Sequence, residues 1–410
     1  MIDKGVTTFM VLATSLVMLM TPGLAFFYGG MGNKNNILNI MMQSFVSVGL
    51  TTVLWFSFGY SLCFSGTLAN GTDLWGIIGN LDKAFLHGIT PKTIMPGKAF
   101  PEYVFFAYQM MFAIITPALI TGAFINRVSF KAYVFFLIFW QIFVYYPFVH
   151  MVWGGGILQQ WGVLDFAGGI VVHATAGFAA LVATIYVGKR KGSEHQPNNI
   201  PLVAIGTTLL WFGWYGFNAG SELDMNDITV AAFINTDVSA SFAAMTWLMI
   251  EWNRGKKKPT FIGLMTGAVA GLATITPAAG YVTVGSAAMI GTMSGIVCYM
   301  AVSFKNRMKW DDALDVWGVH GVGGVFGTIL LGLFATTVIN PGTPNGLFYG
   351  GGFELIFKEL VALLIAIVWA SSFTWGMLHV IDRFVRVKVT DAIQKSGLDY
   401  HIHGEVAMVN

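Results

Sequence analysis

Charged side chains are scarce in this chain. Of its 410 residues, only 10% are Asp, Glu, Lys or Arg, whereas 55% are hydrophobic. A soluble domain carries roughly 25% charged residues, so too few charges are present to cover the surface of a soluble protein of this size. Lipid must therefore solvate much of the chain. The net charge of +2 gives no reason to expect a polyanionic partner such as nucleic acid.

Cysteine is also nearly absent. Cys63 and Cys298 are the two cysteines, and both lie within apolar runs, which excludes a disulfide framework or a metal site built on cysteine spacing. The glycine-rich stretches at 154–156 and 350–352 lack the strand–turn–helix context and the lysine of a phosphate loop. We therefore expect no cofactor, no bound metal and no enzymatic activity.

Long hydrophobic runs, by contrast, fill most of the sequence. A run of roughly 18 or more mostly apolar residues can cross a bilayer as a helix. We predict an all-α polytopic membrane protein with a transmembrane domain over 1–382 and a polar tail over 383–410. The first run is followed at once by others, so it is predicted to be a retained helix rather than a cleaved signal. Eleven spans are predicted, near 6–31, 37–64, 100–125, 130–149, 166–188, 200–219, 228–250, 260–277, 283–304, 315–338 and 354–382.

Lysine and arginine are concentrated on one side of the predicted membrane. Seventeen of the 22 follow odd-numbered spans or lie in the tail, whereas the loops after spans 4, 6, 8 and 10 contain none. Because basic loops remain in the cytoplasm, we predict that the amino terminus is outside and the carboxyl terminus is cytoplasmic. The longest loop, about 66–99, is then external.

Spans 5 and 10 share a short pattern. Each begins with an aspartate, continues to a histidine and has a glycine four residues later: Asp165, His173 and Gly177, and Asp315, His320 and Gly324. The two spans lie five helices apart and so cross in opposite directions. This favours a five-plus-five inverted repeat over about 6–188 and 200–338, with 354–382 as an extra helix. Functional sites of such repeats lie near the bilayer midplane.

The two histidines are ionisable groups at membrane depth. His173 lies ~12 Å along a helix from Asp165 and His320 ~7.5 Å from Asp315, and they enter a layer ~30 Å thick from opposite faces. Ionisable groups at this depth are costly and mark solute pathways. Two interpretations remain open. The histidines are unrelated and each bonds to a carbonyl, or they face each other, share one N–H···N proton and line a neutral, narrow path for a small dipolar solute.

Aromatic side chains gather near the outer helix ends. One interpretation is an interfacial belt with core packing. The other is a site for a small cation, because desolvated ring faces attract cations by up to ~2 kcal/mol and a serine hydroxyl nearby can accept a hydrogen bond. The acidic residues from Glu222 to Asp227 would raise the local cation concentration. The residues concerned are Phe112, Trp153, Trp214, Phe217 and Ser221.

Two aspartates stand at or just before predicted helix starts. Asp165 and Asp315 are expected to accept hydrogen bonds from the free backbone N–H groups there. A proton-relay role for Asp165 is the alternative.

Several motifs together resemble the ammonium transporter (Amt/Mep/Rh) family over nearly the whole chain. They are Pro22–Gly30, His150–Gly156, Asp165 with His173, Gly213–Ser221, Thr276–Tyr281, and Asp315 with His320–Gly324. The resemblance implies an eleven-helix fold with inverted halves, assembled as a homotrimer in the cell membrane with one pore per subunit. One departure is Ile125-Asn126-Arg127, where the family usually has Ala-Glu-Arg, so a carboxylate is missing from the inner face.

The same resemblance implies roles for individual residues. Phe112, Trp153 and Ser221 would form an external ammonium recruitment site, and Phe112 and Phe217 a stacked gate below it. His173 and His320 would line the pore, with Asp165, Asp315 and Trp214 in supporting positions. The segment Gly397–Glu405 resembles the cytoplasmic tail motif that couples subunits, and a PII signal protein is the expected soluble partner.

Transport of ammonium is therefore the expected function. The cation would bind outside and lose its proton, because an unpaired charge in an apolar pore costs several kcal/mol or more, and ammonia would pass the histidines. Three alternatives remain: an ammonium sensor that binds with little or no transport, a sodium-coupled carrier with a helix broken near Thr21–Gly23, and a membrane-embedded enzyme.

Overall fold

The computed structural model describes residues 1–191, 197–253 and 257–407. Within these ranges the chain is helical, with three isolated bridges and no β-strand. The predicted all-α class is therefore confirmed. Arg254 and Lys256, which contribute to the predicted cytoplasmic charge, lie outside the described residues, as do 408–410 at the end of the tail.

Ten helices of the described chain are long and apolar enough to cross a membrane, against eleven predicted spans. The predicted eighth span contains a helix of only 15 residues, Phe261–Ile275, which is ~22 Å long and shorter than a ~30 Å hydrocarbon core. In chain order the helices are α1 (Lys4–Met31), α2 (Ile37–Phe64), α3 (Glu102–Phe124), α4 (Phe130–Trp161), α5 (Gly169–Val187), α6 (Ile200–Glu222), α7 (Asp227–Asn253), α8 (Phe261–Ile275), α9 (Val284–Arg307), α10 (Trp317–Phe334) and α11 (Glu354–Phe384).

Helix contacts in the first half of the chain recur in the second. α1, α2 and α3 pack against one another, and so do α6, α7 and α8; α3 packs on α5 as α8 packs on α10. α1 and α6, the first helices of the two halves, lie against each other along an extensive interface. α11 has no counterpart in either half and packs against α4, α5 and α10.

At the centre of the molecule α5 crosses α10 with almost no space between the backbones. A Cβ atom on Gly177 would lie 2.1 Å from the Cα of Gly321, which is closer than side-chain atoms approach in real proteins. Glycine at this crossing allows the two helices to approach within backbone contact, as small residues do in membrane proteins. The crossing brings the residues just before Gly177 and Gly321 close together.

The two ends of the helix bundle carry different parts of the chain. At one end, the Asp3 backbone N–H donates to the Ala99 carbonyl (2.7 Å) and Lys98 Nζ donates to the Glu222 carbonyl (3.1 Å). The amino terminus, the long loop and the end of α6 therefore lie together.

The tail docks at the other end. The Asp399 carboxylate accepts backbone N–H bonds from Leu38 (3.1 Å) and Asn39 (2.8 Å) at the start of α2. The Val389 N–H donates to the Arg127 carbonyl (2.9 Å). The segment that departs from the family pattern thus contacts the tail through its backbone, for which a carboxylate is not required.

The α5–α10 crossing predicts a stability effect. Gly177→Ala should lower the melting temperature of the detergent-solubilised protein, because the added methyl group overpacks the crossing at a cost of about 1–3 kcal/mol. Gly376→Ala is the matched control, since a Cβ at Gly376 in α11 would meet no atom within 4 Å. Equal melting temperatures for the two variants would contradict the close crossing.

Candidate functional site

A concave pocket opens at the end of the bundle that carries the amino terminus. Its volume is about 210 Å³. We call it the outer pocket. Five residues singled out from the sequence share it: Phe112 from α3, Trp153 from α4, Asp165 before α5, and Ser221 and Glu222 at the end of α6. It is lined by Phe64, Phe105, Gln109, Phe112, Trp153, Gln159, Asp165, Phe166, Ser221, Glu222, Leu223 and Tyr281.

Asp165 organises one wall of the outer pocket. Its carboxylate accepts four backbone N–H bonds from the first residues around α5, at 2.8, 2.6, 2.8 and 3.0 Å from Gly168, Gly169, Ile170 and Val171. The predicted capping role is thus observed. The Asp165 backbone carbonyl also accepts a 2.8 Å bond from the Trp153 indole N–H, so the segment that caps α5 also fixes the orientation of Trp153.

Ser221 also lines the outer pocket. Its hydroxyl contacts that of Tyr108, a buried residue that was not singled out from the sequence. The Ser221 hydroxyl donates to the Phe217 carbonyl (2.8 Å) and lies 3.2 Å from the Tyr108 hydroxyl. Because the Ser221 proton is engaged with a carbonyl, its oxygen keeps lone pairs for a donor in the pocket. The ring of Phe112 lies 6.0 Å from that of Trp153 at an interplanar angle of 87°.

Two phenyl rings close the floor of the outer pocket. Phe112 and Phe217 stack with centroids 4.2 Å apart and planes 29° apart, and both side chains are almost fully buried. Phe112 lines the outer pocket, whereas Phe217 lines a second cavity deeper in the bundle. The stacked pair therefore separates the two spaces, in the arrangement expected of a gate.

The deeper cavity, which we call the inner cavity, is a narrow space of about 20 Å³ lined mainly by apolar side chains. His173 and His320 lie in its wall, and their Nδ1 atoms are 3.3 Å apart. The two rings are nearly parallel, at 24°, with centroids 5.2 Å apart. Of the two interpretations from sequence, the geometry matches the facing pair. A single proton between two Nδ1 atoms makes one ring the donor and the other the acceptor.

Aromatic packing fixes the position of His173. Trp214 lies against it with ring centroids 5.5 Å apart at 26°, and the Trp214 indole N–H donates to Thr276 Oγ1 (2.9 Å). Phe217 lies on the outer side, with its centroid 6.2 Å from that of His173. Phe217 of the stacked phenyl pair and His173 are therefore direct neighbours in the inner cavity wall.

Both histidines sit in π-helical turns. His173 lies in the turn Gly169–Ala174 and His320 in Trp317–Gly321. A π turn inserts an additional residue into the helical ladder and redirects nearby side chains, and such turns occur frequently at functional sites. The two histidines therefore share the same local backbone irregularity.

The structure corrects the assignment made for Asp315. The carboxylate that caps α10 belongs to Asp312, which accepts N–H bonds from Val316 (3.1 Å) and Trp317 (2.8 Å). Asp315 instead pairs with the ammonium group of Lys305, within hydrogen-bond distance. Its backbone has φ of +59°, so the chain turns there rather than starting the helix. Measured from Asp312, His320 is eight residues along, the same interval as from Asp165 to His173.

Basic side chains lie around Asp312, the residue that caps α10. Lys305 Nζ donates to the Asp312 carbonyl (2.7 Å), and Arg190 bonds the carboxylate of Asp311 at 2.6 Å. Burial raises the pKa of Asp311, but the hydrogen bonds and charge of Arg190, together with Arg127, outweigh it and hold that pKa below its ordinary value. Burial lowers the pKa of Arg127 to about 10, so Arg127 is still a cation at neutral pH.

Some residues at the site escaped the sequence analysis. Asp312 had a signal, because its spacing to His320 repeats that of Asp165 to His173. Glu359 of α11 also had a sequence signal, since it is a carboxylate within an apolar span. In the structure it is fully buried. Tyr108 had none, because its contact with Ser221 joins residues 113 positions apart.

Taken together, the apolar helices and the buried polar path define a multi-pass membrane protein with a central solute pathway. The model of the Ammonium Transporter Family matches residues 8–408. An ammonium transporter of Bacillus subtilis is 43% identical, over 99% of this chain and 98% of its own length. The chain belongs to the ammonium transporter family.

Solved structures show the same fold. Candida albicans Mep2 superposes with a TM-score of 0.88 at 33% identity, covering 95% of this chain and 87% of its own. A structure described as a sensor Amt protein superposes with a TM-score of 0.87 at 28% identity, covering 97% of this chain and 98% of its own.

The corrected cap makes a prediction about α10. Asp312→Ala should accelerate hydrogen exchange at the Val316 and Trp317 amides, because each buried N–H that loses its acceptor becomes less stable by about 1–3 kcal/mol. Asp315→Ala is the comparison, since it removes the partner of Lys305 but not the acceptor of these amides. Faster exchange at both amides in Asp315→Ala and not in Asp312→Ala would assign the cap to Asp315.

Proposed function

We propose that this protein transports ammonium across the membrane, taking up the cation in the outer pocket and passing ammonia through the inner cavity. One observation carries the proposal. An aromatic pocket with a free hydroxyl lone pair is separated by the Phe112–Phe217 stack from an apolar cavity whose wall contains the His173–His320 pair. The non-enzymatic role agrees with relatives that are named as transporters.

The outer pocket suits a small cation with N–H groups. The rings of Phe112 and Trp153 present electron-rich faces, and Ser221 Oγ can accept a hydrogen bond. Asp165 and Glu222 also line the pocket, and their carboxylates supply negative charge there. An ammonium ion that sheds water here exchanges hydration for ring faces and oxygen acceptors, whereas a dehydrated alkali cation has no N–H group to donate to Ser221.

Passage beyond the gate favours the neutral molecule. The inner cavity is lined mainly by apolar atoms, and an unpaired cation there costs several kcal/mol or more. Ammonia can both donate and accept hydrogen bonds with the paired imidazoles, and His173 Nε2 has no protein partner among the described residues. We therefore propose that ammonium releases its proton between the outer pocket and the histidines, and that ammonia is reprotonated on the inner side.

We also propose that all eleven helices cross the membrane, with the amino terminus outside. One support is the docking of the two termini at opposite ends of the bundle. Another is α8, which ends just before Pro277. The Pro277 carbonyl accepts the Phe166 N–H (3.1 Å) at the outer pocket. The inverted repeat with α11 as the extra helix is the arrangement that fits these contacts. The homotrimer, the PII partner and the cell-membrane location stay predictions from the family resemblance.

The orientation can be tested by cysteine labelling. Because Cys63 and Cys298 are buried, a membrane-impermeant maleimide should label Leu81→Cys in the long loop on intact cells. Val406→Cys in the tail should react only after the membrane is permeabilised. Both positions have exposed side chains. The reverse labelling pattern would mean that the orientation is inverted.

A sensor remains the second candidate, because the similarity to the sensor Amt protein is as extensive as that to Mep2. Proteoliposomes containing the purified protein separate the two. A transporter should give an ammonium-gradient-driven pH change or current that saturates with concentration. Ammonium binding measured on the same preparation, with no flux above protein-free vesicles, would establish a sensor and refute transport.

The histidine pair is tested in the same vesicles. In the double variant His173→Leu with His320→Leu, selective ammonium flux should fall by at least tenfold, because the polar groups of the inner cavity wall are replaced by apolar ones. Binding at the outer pocket should be preserved, since neither histidine lines it. Undiminished flux with unchanged selectivity against potassium would contradict the role proposed for the pair.

A further inference from the structure

Glu359 of α11 is a buried carboxylate that the proposed pathway does not use. Its side chain is fully buried, although it lies within one of the most apolar helices of the chain. A carboxylate at such a position is costly unless its oxygens have partners. One oxygen, Oε1, accepts the backbone N–H of Leu164 at 2.7 Å, and Oε2 has no partner among the described residues.

The first turns of α11 meet the segment that precedes α5. Phe357 packs its ring edge-on against Trp161, with centroids 6.2 Å apart. Lys358 Nζ lies 3.3 Å from where a Cβ of Gly162 would stand, and Lys358 also pairs with Glu354 (2.6 Å). Glu359 then bonds to Leu164. Three consecutive residues of the extra helix thus hold the turn that leads into Asp165.

The segment held by α11 is the one that shapes the outer pocket. Leu164 is followed directly by Asp165, whose carboxylate caps α5 and whose carbonyl orients the Trp153 indole (2.8 Å). On the other side, the Phe166 N–H donates to the Pro277 carbonyl (3.1 Å). The bond from Glu359 to Leu164 is therefore the last fixed point before the residues that contact a solute in the pocket.

We propose that Glu359 is a positioning residue of the outer pocket, which holds the Leu164–Asp165 segment so that Trp153 and the α5 cap keep their geometry. Without this acceptor the Leu164 N–H would be buried and unpaired, a cost that displacement of the segment would relieve. The function of α11, which lies outside the two repeated halves, is then to stabilise one specific end of the pathway. The inference rests on the proposed transport of ammonium.

A pair of substitutions separates the hydrogen bond from the charge. Glu359→Leu removes both, whereas Glu359→Gln keeps a carbonyl oxygen that can accept from Leu164. We expect Glu359→Leu to raise the KM for ammonium flux in proteoliposomes by about fivefold to tenfold, which corresponds to roughly 1–1.4 kcal/mol, with maximal flux changed less than twofold. Glu359→Gln should retain a KM within twofold of the parent. Gly376→Ala, on the same helix at a position where the added Cβ meets no atom within 4 Å, is the control and should match the parent.

Hydrogen exchange gives a second readout that does not depend on transport. The Leu164 amide should exchange faster in Glu359→Leu and at the parent rate in Glu359→Gln. Melting temperatures of the purified variants establish that each is folded. A flux defect in Glu359→Gln as large as that in Glu359→Leu would overturn the positioning role, and so would unchanged exchange at Leu164 in Glu359→Leu. If the parent protein carries no flux, the proposed transport fails, while the exchange data still decide whether Glu359 holds the segment.

Discussion

The first N–H groups of α5 and α10 start within the protein interior, where no water is at hand to bond them. An unpaired backbone group in such surroundings costs several kcal/mol, so each helix can begin there only if a carboxylate meets it. Asp165 accepts four N–H bonds and Asp312 accepts two. The depth of each histidine, eight residues beyond its cap, follows from these two contacts, and so does the meeting of the two imidazoles.

The two caps have the same backbone role in different electrostatic surroundings. Asp165 lies beside the outer pocket, close to a second buried carboxylate on α11 that bonds the preceding residue. Asp312 lies among basic groups, since Lys305 bonds its carbonyl and Arg190 and Arg127 neutralise Asp311. The Asp165 cap thus lies near a second carboxylate, whereas the Asp312 cap lies among paired charges of both signs.

Much of the architecture could be predicted because lipid imposes strong constraints on sequence. Apolar runs located ten long helices and the short α8, with ends within a few residues of those observed except in α4, which extends to Trp161, twelve residues beyond the predicted end at 149. The recurrence of Asp, His and Gly indicated the pair of crossing helices. The capping residue of α10 was misassigned to Asp315, because a count along the sequence cannot show that the backbone turns at positive φ there and that Lys305 captures the carboxylate. The π turns around both histidines likewise leave no hydropathy signature.

By itself, the sequence determined that lipid surrounds much of this protein and that its class is all-helical. It also showed that the two histidines share one internal Asp–His–Gly pattern and which family has the same motifs. These features depend on local composition and spacing, which the chain carries without folding. Tertiary structure decided which side chains meet. The 3.3 Å contact of His173 with His320, the stacked Phe112 and Phe217, and the bond from Glu359 to Leu164 join residues 105 to 195 positions apart. Such contacts depend on how helices cross, and the crossing is set by packing at Gly177 and Gly321, which no single segment encodes.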